Sequence, residues 1–405
     1  MSHTAQATVA ERSSPATVHA DPGRFQAGRV FTISFGHALH DTYTAFLSPL
    51  LPTFIANLAL SKTEAGLLSL FMQAPSLLQP FIGHLGDRVN LRYLVFAAPA
   101  LTAVMMSLLG VAPNYATLVL LLVVTGFSSA GLHAVGPVIA GRLSGRRLGQ
   151  GMSFWMVGGE LGRTVGPMVI VAAVRLLTLQ GTPWLMLGGL LGSAILYIRL
   201  RDVPGRPSTV DAQPAWGQAL RSMGPLLLPL TGIIIVRAFM VMALTTYLPV
   251  FLSEEGANLW FVGASLTVLQ SAGVAGAMLA GPLSDRISRR TLLAVSLLVA
   301  PLLMLAFLQA RGWVQIPLLL LLGFAAISVN PVFMALVQES FPQNRALANG
   351  IYMALNFVLS SAVVVILGTL GDRFGLRPAF TASAFISLLG LPLIFLLPVR
   401  RTHPA

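Results

Sequence analysis

Residues 83–92 read GHLGDRVNLR and residues 281–290 read GPLSDRISRR. Both have the form G-x-x-x-D-R-x-x-x-R, they lie 198 positions apart (281 − 83), and each separates two apolar runs. A second echo follows at nearly the same offset: Gly126-Phe127 leads to His133, and Gly323-Phe324 leads to Asn330, 197 positions later. Two correspondences at one spacing imply a duplicated unit spanning about half the chain. The residue types also make mechanical sense. Glycine permits a tight helix exit, the aspartate can cap the next helix, and the arginines hold the loop in water. A single copy would read as a charged turn at a membrane face; the duplication is what raises it to a functional candidate.

Outward from these loops, apolar segments fall at 29–57, 64–85, 92–112, 115–141, 150–176, 184–200, 225–252, 260–283, 291–310, 314–338, 347–370 and 378–398. Each is long enough for a membrane helix, which needs about 20 apolar residues. Hydrophobic residues make up 55% of the 405-residue chain and charged residues 9%, against roughly 25% charged in soluble domains. So few charges cannot coat several globules, which argues against soluble enzymes and nucleic-acid binders. The expected fold is all-α and integral to the membrane, with twelve helices in two pseudo-symmetric bundles of six, 29–200 and 225–398. A Pro- and Gly-rich cytoplasmic linker at 201–224 joins the bundles, between a disordered tail at 1–28 and a short tail at 399–405.

The net charge of +12 comes from arginines and the single Lys62, scattered between spans rather than gathered into a basic patch. With both termini inside, 18 basic residues fall on the cytoplasmic side and 5 on the other, the bias that orients membrane proteins. The expected location is a bacterial cytoplasmic (inner) membrane. The chain has no cysteine, which excludes disulfides and thiolate chemistry.

Charged groups deep in a bilayer cost at least about 2.5–3.5 kcal/mol each and call for a partner or a role. Four fall mid-span: Asp41, Glu160, Arg163 and Arg237, joined by His37, His40 and His133. His37 and Asp41, four apart, share one face of span 1. They read either as a proton-coupling pair, together with Glu160, or as a hydrogen bond that pins the span. Glu160 and Arg163, three apart on span 5, read as a closed salt bridge or as an exchangeable pair in which a substrate anion takes the arginine. Arg237 has no acidic partner on its own span. It is expected to pair across the halves with Asp41 or Glu160, or to await an anion, which a guanidinium grips bidentately. His133 and Asn330 are the matching cavity-facing positions of spans 4 and 10, so Arg237, Arg163, His133 and Asn330 form the expected substrate-binding set. His40 reads as packing. Gly158, Gly162 and Gly166, followed by Pro167, form a groove for close helix approach. No metal site is expected, because Asp41 is the only acid at ligand spacing from a histidine. No phosphate-binding loop is present and no cofactor is expected.

From residue 29 onward the chain resembles the major facilitator superfamily, through the duplicated loop. It further resembles the fosmidomycin-resistance group of drug exporters, through His37-x-x-x-Asp41, the span 4 run from Gly126 to His133 and Gly136, the span 5 run from Ser153 to Pro167, and Arg237. It departs from that group at Glu160, Arg163 and Ala134. The resemblance implies that Gly83, Asp87, Arg88, Asp285 and Arg286 belong to a conformational latch. It also implies that the span 5 ladder is akin to an antiporter motif. The function expected is proton-coupled export of a small anionic or zwitterionic toxic compound, a phosphonate or another oxyanion such as an organoarsenical. The expected partners are that small molecule, protons and the lipid bilayer, with no nucleic acid, and the chain is expected to act as a monomer. An uptake symporter for an organic anion would use the same parts. A membrane-embedded acyl transferase is a remote alternative that leaves the duplicated loops unexplained.

Overall fold

A computed structural model describes residues 25–397 other than 87–88, 146, 204–215, 331, 334–335 and 338–344. Among the described residues every regular element is helical, and nine helices are long and apolar enough to cross a membrane. A chain this poor in charge must satisfy its backbone internally in lipid, and helices do so segment by segment.

Span 1 consists of helices Ala27–Thr44 and Leu47–Leu58. Span 2 runs through Lys62–Gln73, the 3₁₀ turn Ala74–Leu78 and Gln79–Gly86. Spans 3 to 6 are Arg92–Ser107, Tyr115–Leu143, Leu148–Leu177 and Met186–Leu200. Span 7 joins Trp216–Met242 to Leu248–Glu254 through the π-helical turn Ala243–Tyr247. Spans 8 and 9 are Leu259–Arg286 and Arg289–Gln309. Span 10 contains Gln315–Ile327, span 11 is Arg345–Phe374, and span 12 is Leu376–Leu388 with Gly390–Phe395.

The interruptions have local causes, because a proline removes an N–H and crowds the carbonyl four residues back. Pro49 faces the break at Ala45, Pro75 sits in the 3₁₀ turn of span 2, and Pro249 lies four residues after Thr245 in the π turn. Two boundaries differ from the composition reading. The first helix begins at Ala27, inside the expected tail, and span 7 begins at Trp216, inside the expected linker. Composition marks where a chain leaves the lipid, and a helix can continue into water beyond that point.

The span 5 glycine ladder closes on span 1. A Cβ at Gly158, Gly162 or Gly166 would meet Ser34 O, Ala38 O or Thr42 O respectively. Glycines four apart therefore run along carbonyls four apart. This register sets the Glu160–Arg163 turn beside the His37–Asp41 turn.

The two ends of the molecule are packed differently. One core joins the halves: Phe46, Leu50 and Phe54 of span 1 and Leu68 of span 2 share it with Leu244, Phe251 and Leu367 of spans 7 and 11. Toward the end that bears the chain termini the core divides. Ile33, Leu132, Trp155 and Leu200 belong to a first-half cluster, whereas Ile233, Leu297, Phe333 and Tyr352 belong to a second-half one. Among the described residues the halves thus share a core at one end and have separate cores at the other, an arrangement open toward the termini.

The seal contains a third copy of the loop pattern, unnoticed in the sequence reading: Gly368-x-x-x-Asp372-Arg373-x-x-x-Arg377. Asp372 accepts hydrogen bonds from Lys62 N at 2.6 Å, Thr63 N at 2.9 Å and Thr63 Oγ1 at 2.6 Å. It thereby caps the start of span 2 from the other half, beside that helix's own Ser61–Glu64 capping box. Lys62 Nζ pairs with Glu254 at 2.9 Å, and the buried Tyr247 hydroxyl donates to Val364 O at 2.9 Å with Lys62 O at 3.1 Å. The closing arginine does the same work in all three copies. Arg92 donates to Val203 O at 2.8 Å, Arg290 to Phe395 O at 3.1 Å, and Arg377 to Leu308 O. Each caps the C-terminal end of another span in its own half, where a cation favours the helix dipole. Of the latch residues expected from sequence, Asp87 and Arg88 lie outside the described residues. For Gly83, Asp285 and Arg286 the structure gives the helices they close but no side-chain arrangement.

Candidate substrate and proton site

Span 1 brings three polar groups inward on consecutive turns, and all are buried: His37, His40 and Asp41. Arg163 of span 5 reaches Asp41 across the glycine contact, its Nη1 donating to Asp41 Oδ2 at 2.7 Å. Its other terminal nitrogen, Nη2, donates to Glu160 Oε1. One guanidinium therefore bridges two carboxylates, one of them only 3% exposed. The sequence spacing pointed to the Glu160–Arg163 pair, but Asp41 as its third member depends on helix packing.

The histidines complete a cage around Asp41. The Nε2 atoms of His37, His133 and His40 lie 3.5, 3.8 and 4.0 Å from its carboxylate oxygens. Their Nδ1 atoms turn outward to fixed acceptors: Trp155 O at 2.9 Å for His37, Ser129 O at 2.9 Å for His133, and Thr102 Oγ1 at 3.0 Å for His40. Thr102 passes its own proton to Ser128, which donates to Ala98 O, so His40 is the donor in its pair and serves as packing between spans 1 and 3. Trp155 stacks on His37 with ring centroids 3.9 Å apart. Nothing in its sequence context marked Trp155. His37, Asp41 and His133 offer ligand atoms within 4.8 Å of one another. The second histidine comes from span 4, so linear spacing could not reveal it.

Arg237 is placed differently from the expectation. It does not meet Asp41 or Glu160; it is held within its own half, donating to Ala326 O at 2.8 Å and Asn330 Oδ1 at 2.7 Å, with its guanidinium 5.4 Å from the Phe333 ring centre. A backbone and an amide oxygen satisfy its Nη2, while its buried Nε has no partner. Arg237 and Asn330, matched in the sequence reading only as separate candidates, form one unit.

Between the halves, just beneath the shared core, lies a cavity of about 180 Å³. Thr44, Ser48, Gln73, Thr245 and Gln270 give it hydroxyl and amide groups, and Arg163 is its one charged lining residue. Pro167 lines it too, at the end of the glycine ladder. Asp41 and the histidines sit behind Arg163, out of the cavity.

Two helical bundles with a polar cavity at their junction and charged side chains beside it have the architecture of a membrane transporter. The chain belongs to the Major Facilitator Superfamily, whose family model matches residues 33–364. The fosmidomycin resistance protein of Escherichia coli (strain K12) is 24% identical over 383 residues, covering 92% of this chain and 93% of that protein. The uncharacterized MFS-type transporter YfnC of Bacillus subtilis (strain 168) is 25% identical over 397 residues, with coverage of 93% and 94%. Among solved structures, a bacterial homolog of the human lysosomal transporter Spinster, inward-facing and unoccupied, superposes with a TM-score of 0.76 at 15% identity, covering 92% of this chain and 96% of that one. A D-xylose–proton symporter superposes with a TM-score of 0.72 at 18% identity, with coverage of 93% and 98%. These structures share the fold.

Proposed function

We propose that the protein exports a small anionic or zwitterionic toxic compound in exchange for protons, by rocking its two halves about the central cavity. The observation that carries this reading is Arg163, which faces the cavity while bridging Asp41 and Glu160 behind it. An anion entering the cavity meets Arg163, which ties it to the charge of Asp41 and Glu160. Exchange requires cargo and proton to exclude each other, and linkage makes the exclusion reciprocal: protonation weakens cargo binding by the factor by which cargo weakens proton binding. Arg237 with Asn330 supplies a second set of donors in the opposite half. Phosphonates and other oxyanions such as organoarsenicals suit the guanidinium that lines the cavity, and the similarity to a fosmidomycin resistance protein supports the first class. Export is favoured by the same similarity and by the glycine ladder ending in Pro167. The location that fits is a bacterial inner membrane with both termini in the cytoplasm, and a single chain contains the whole cavity.

A deletion strain screened against phosphonates and organoarsenicals identifies the compound, and everted vesicles then give the direction. An exporter accumulates that compound when the vesicle interior is acidified. Asp41→Asn and Arg237→Ala are expected to abolish accumulation while both proteins still reach the membrane. Normal proton-driven transport by both variants would remove the proposed site, and accumulation only under the opposite gradient would make the protein an uptake symporter.

A further inference from the structure

The cage around Asp41 has one contact that two neutral rings protonated at Nδ1 cannot make, and the carbonyl beside His133 Nδ1 lies nearer than Ser129 Oγ at 3.2 Å. His37 and His133 each point Nδ1 at a backbone carbonyl, 2.9 Å away in both cases. A carbonyl only accepts, so each Nδ1 carries the ring proton and each neutral ring presents a bare lone pair at Nε2. Yet the two Nε2 atoms stand 3.2 Å apart, with the rings edge to edge at 80° and centroids 5.0 Å apart. Two lone pairs repel at that distance, and a single added proton turns the contact into an N–H···N hydrogen bond. We infer that His37 and His133 together seat one proton between their Nε2 atoms, and that this shared proton is the one exchanged for cargo.

The other groups facing the pair support a single positive charge there. Span 1 contributes Asp41 and His40, and span 5 contributes Glu160 and Arg163. With neutral histidines the cluster sums to −1 (two carboxylates, one guanidinium), and one proton brings it to zero. The Nε2 atoms lie 3.5 Å or more from Asp41, too far for a direct hydrogen bond, so the short imidazole contact is where the proton is held. His40 has no second imidazole within bonding distance of its Nε2. A divalent metal would also fit the ligand atoms, and Nδ1 bonds to carbonyls are common behind metal-binding histidines. Charge opposes it. A dication would leave the cluster at +1, while Arg163 already occupies Asp41 at 2.7 Å. The route to cargo is short, because Arg163 joins Asp41, inside the cage, to the cavity. Asp41 thereby ties the charge of the seat to the hold on Arg163, and exchange requires the seated proton and the cargo to exclude each other.

This inference rests on the proposed proton exchange for its role in transport, but the seat itself can be measured without transport. Purified protein in nanodiscs is titrated from alkaline to mildly acidic pH with a pH-indicator dye, counting protons bound by wild type, His37→Gln, His133→Gln and the double variant. The expected result is non-additive: each single variant loses the same one proton, and the double variant loses one rather than two. Nitrogen-15 spectra of histidine-labelled wild-type protein should show two Nδ1–H rings sharing one Nε2 proton, which keeps the test decisive if a variant folds poorly. Additive loss of two protons, no loss, or Nε2-protonated tautomers would overturn the seat. Stoichiometric Zn²⁺ that survives dialysis would replace it with a metal site. Proton-driven transport that persists with unchanged proton uptake in both variants would refute the seat and leave the function standing. Loss of the shared proton in protein whose transport ignores the gradient would refute the coupling and leave the seat.

Discussion

Arg163 holds two carboxylates at once, and its removal should be felt twice. Asp41 is 3% exposed and depends on it at 2.7 Å. Breaking a buried pair by deleting one partner costs about 3–5 kcal/mol, whereas removing both charges is often neutral. Because Arg163 itself is 39% exposed, the lower part of that range applies. Arg163→Ala is therefore expected to lose about 3 kcal/mol and all transport, seen as a lowered unfolding temperature in detergent and an inactive vesicle. Asp41→Asn combined with Arg163→Gln should restore most of the thermal stability and none of the transport. If the double variant stays as unstable as Arg163→Ala, the pair is not what Arg163 stabilises. At this scale the sequence was informative wherever partners share a helix. His37 with Asp41 and Glu160 with Arg163 follow from spacings of four and three. His133 and Trp155 reach the cage only through the packing of spans 4 and 5 on span 1, and no spacing encodes that. Arg237 was legible as a buried cation, but its partner was not. A backbone carbonyl, Ala326 O, leaves no mark in a list of acidic residues.

Among the elements, the contact of span 5 with span 1 decides whether the site exists at all. Gly162 brings its backbone against Ala38 O and Thr42 N. A methyl there forces the helices apart in a region where span 1 also carries Asp41. Overpacking costs about 1–3 kcal/mol, against up to about 1 kcal/mol gained in helix propensity. Gly162→Ala should thus be destabilising on balance. The transport loss should exceed what its stability loss explains, because Arg163 and Asp41 lie within one turn of the contact. Gly28→Ala, at a position with nothing near its missing Cβ, is the matched control and should leave both readouts unchanged. Equal transport by the two variants at matched expression would show that the ladder does not position the site. The ladder was visible in sequence as a spacing, but its partner helix was not. The prolines were visible too, yet the breaks at Ala45 and in the π turn fall four residues before Pro49 and Pro249, where a hydropathy trace shows nothing.

At the scale of the whole molecule, the equilibrium between its two openings is set by what holds the sealed end. The third loop copy, at 368–377, is present in the sequence but hidden by topology, since it falls on the face that carries the minority of the basic residues. Folding shows Asp372 capping span 2 across the halves, so its bonds exist only while that end is closed. Loss of a helix cap costs about 1 kcal/mol, which corresponds to roughly a fivefold shift in a two-state population. Asp372→Ala should move the protein by about that factor toward the form sealed at the opposite end. Lys62–Glu254 crosses the same seam, but its acid is 45% exposed, and an ion pair so placed contributes about 0–1 kcal/mol. Glu254→Gln should accordingly shift the population far less. The absence of cysteine makes the measurement clean. Thr245→Cys places one thiol in the cavity beneath the seal, and a membrane-impermeant maleimide added at the sealed face labels it only when that end opens. Labelling several times faster with Asp372→Ala, and close to unchanged with Glu254→Gln, is the expected pair of results. The reverse order would make the exposed ion pair the real latch. Equal slow labelling in both would leave the shared core of Phe46, Leu50, Leu244 and Phe251 as the sole barrier, with the repeated loop contributing only its helix-capping arginine.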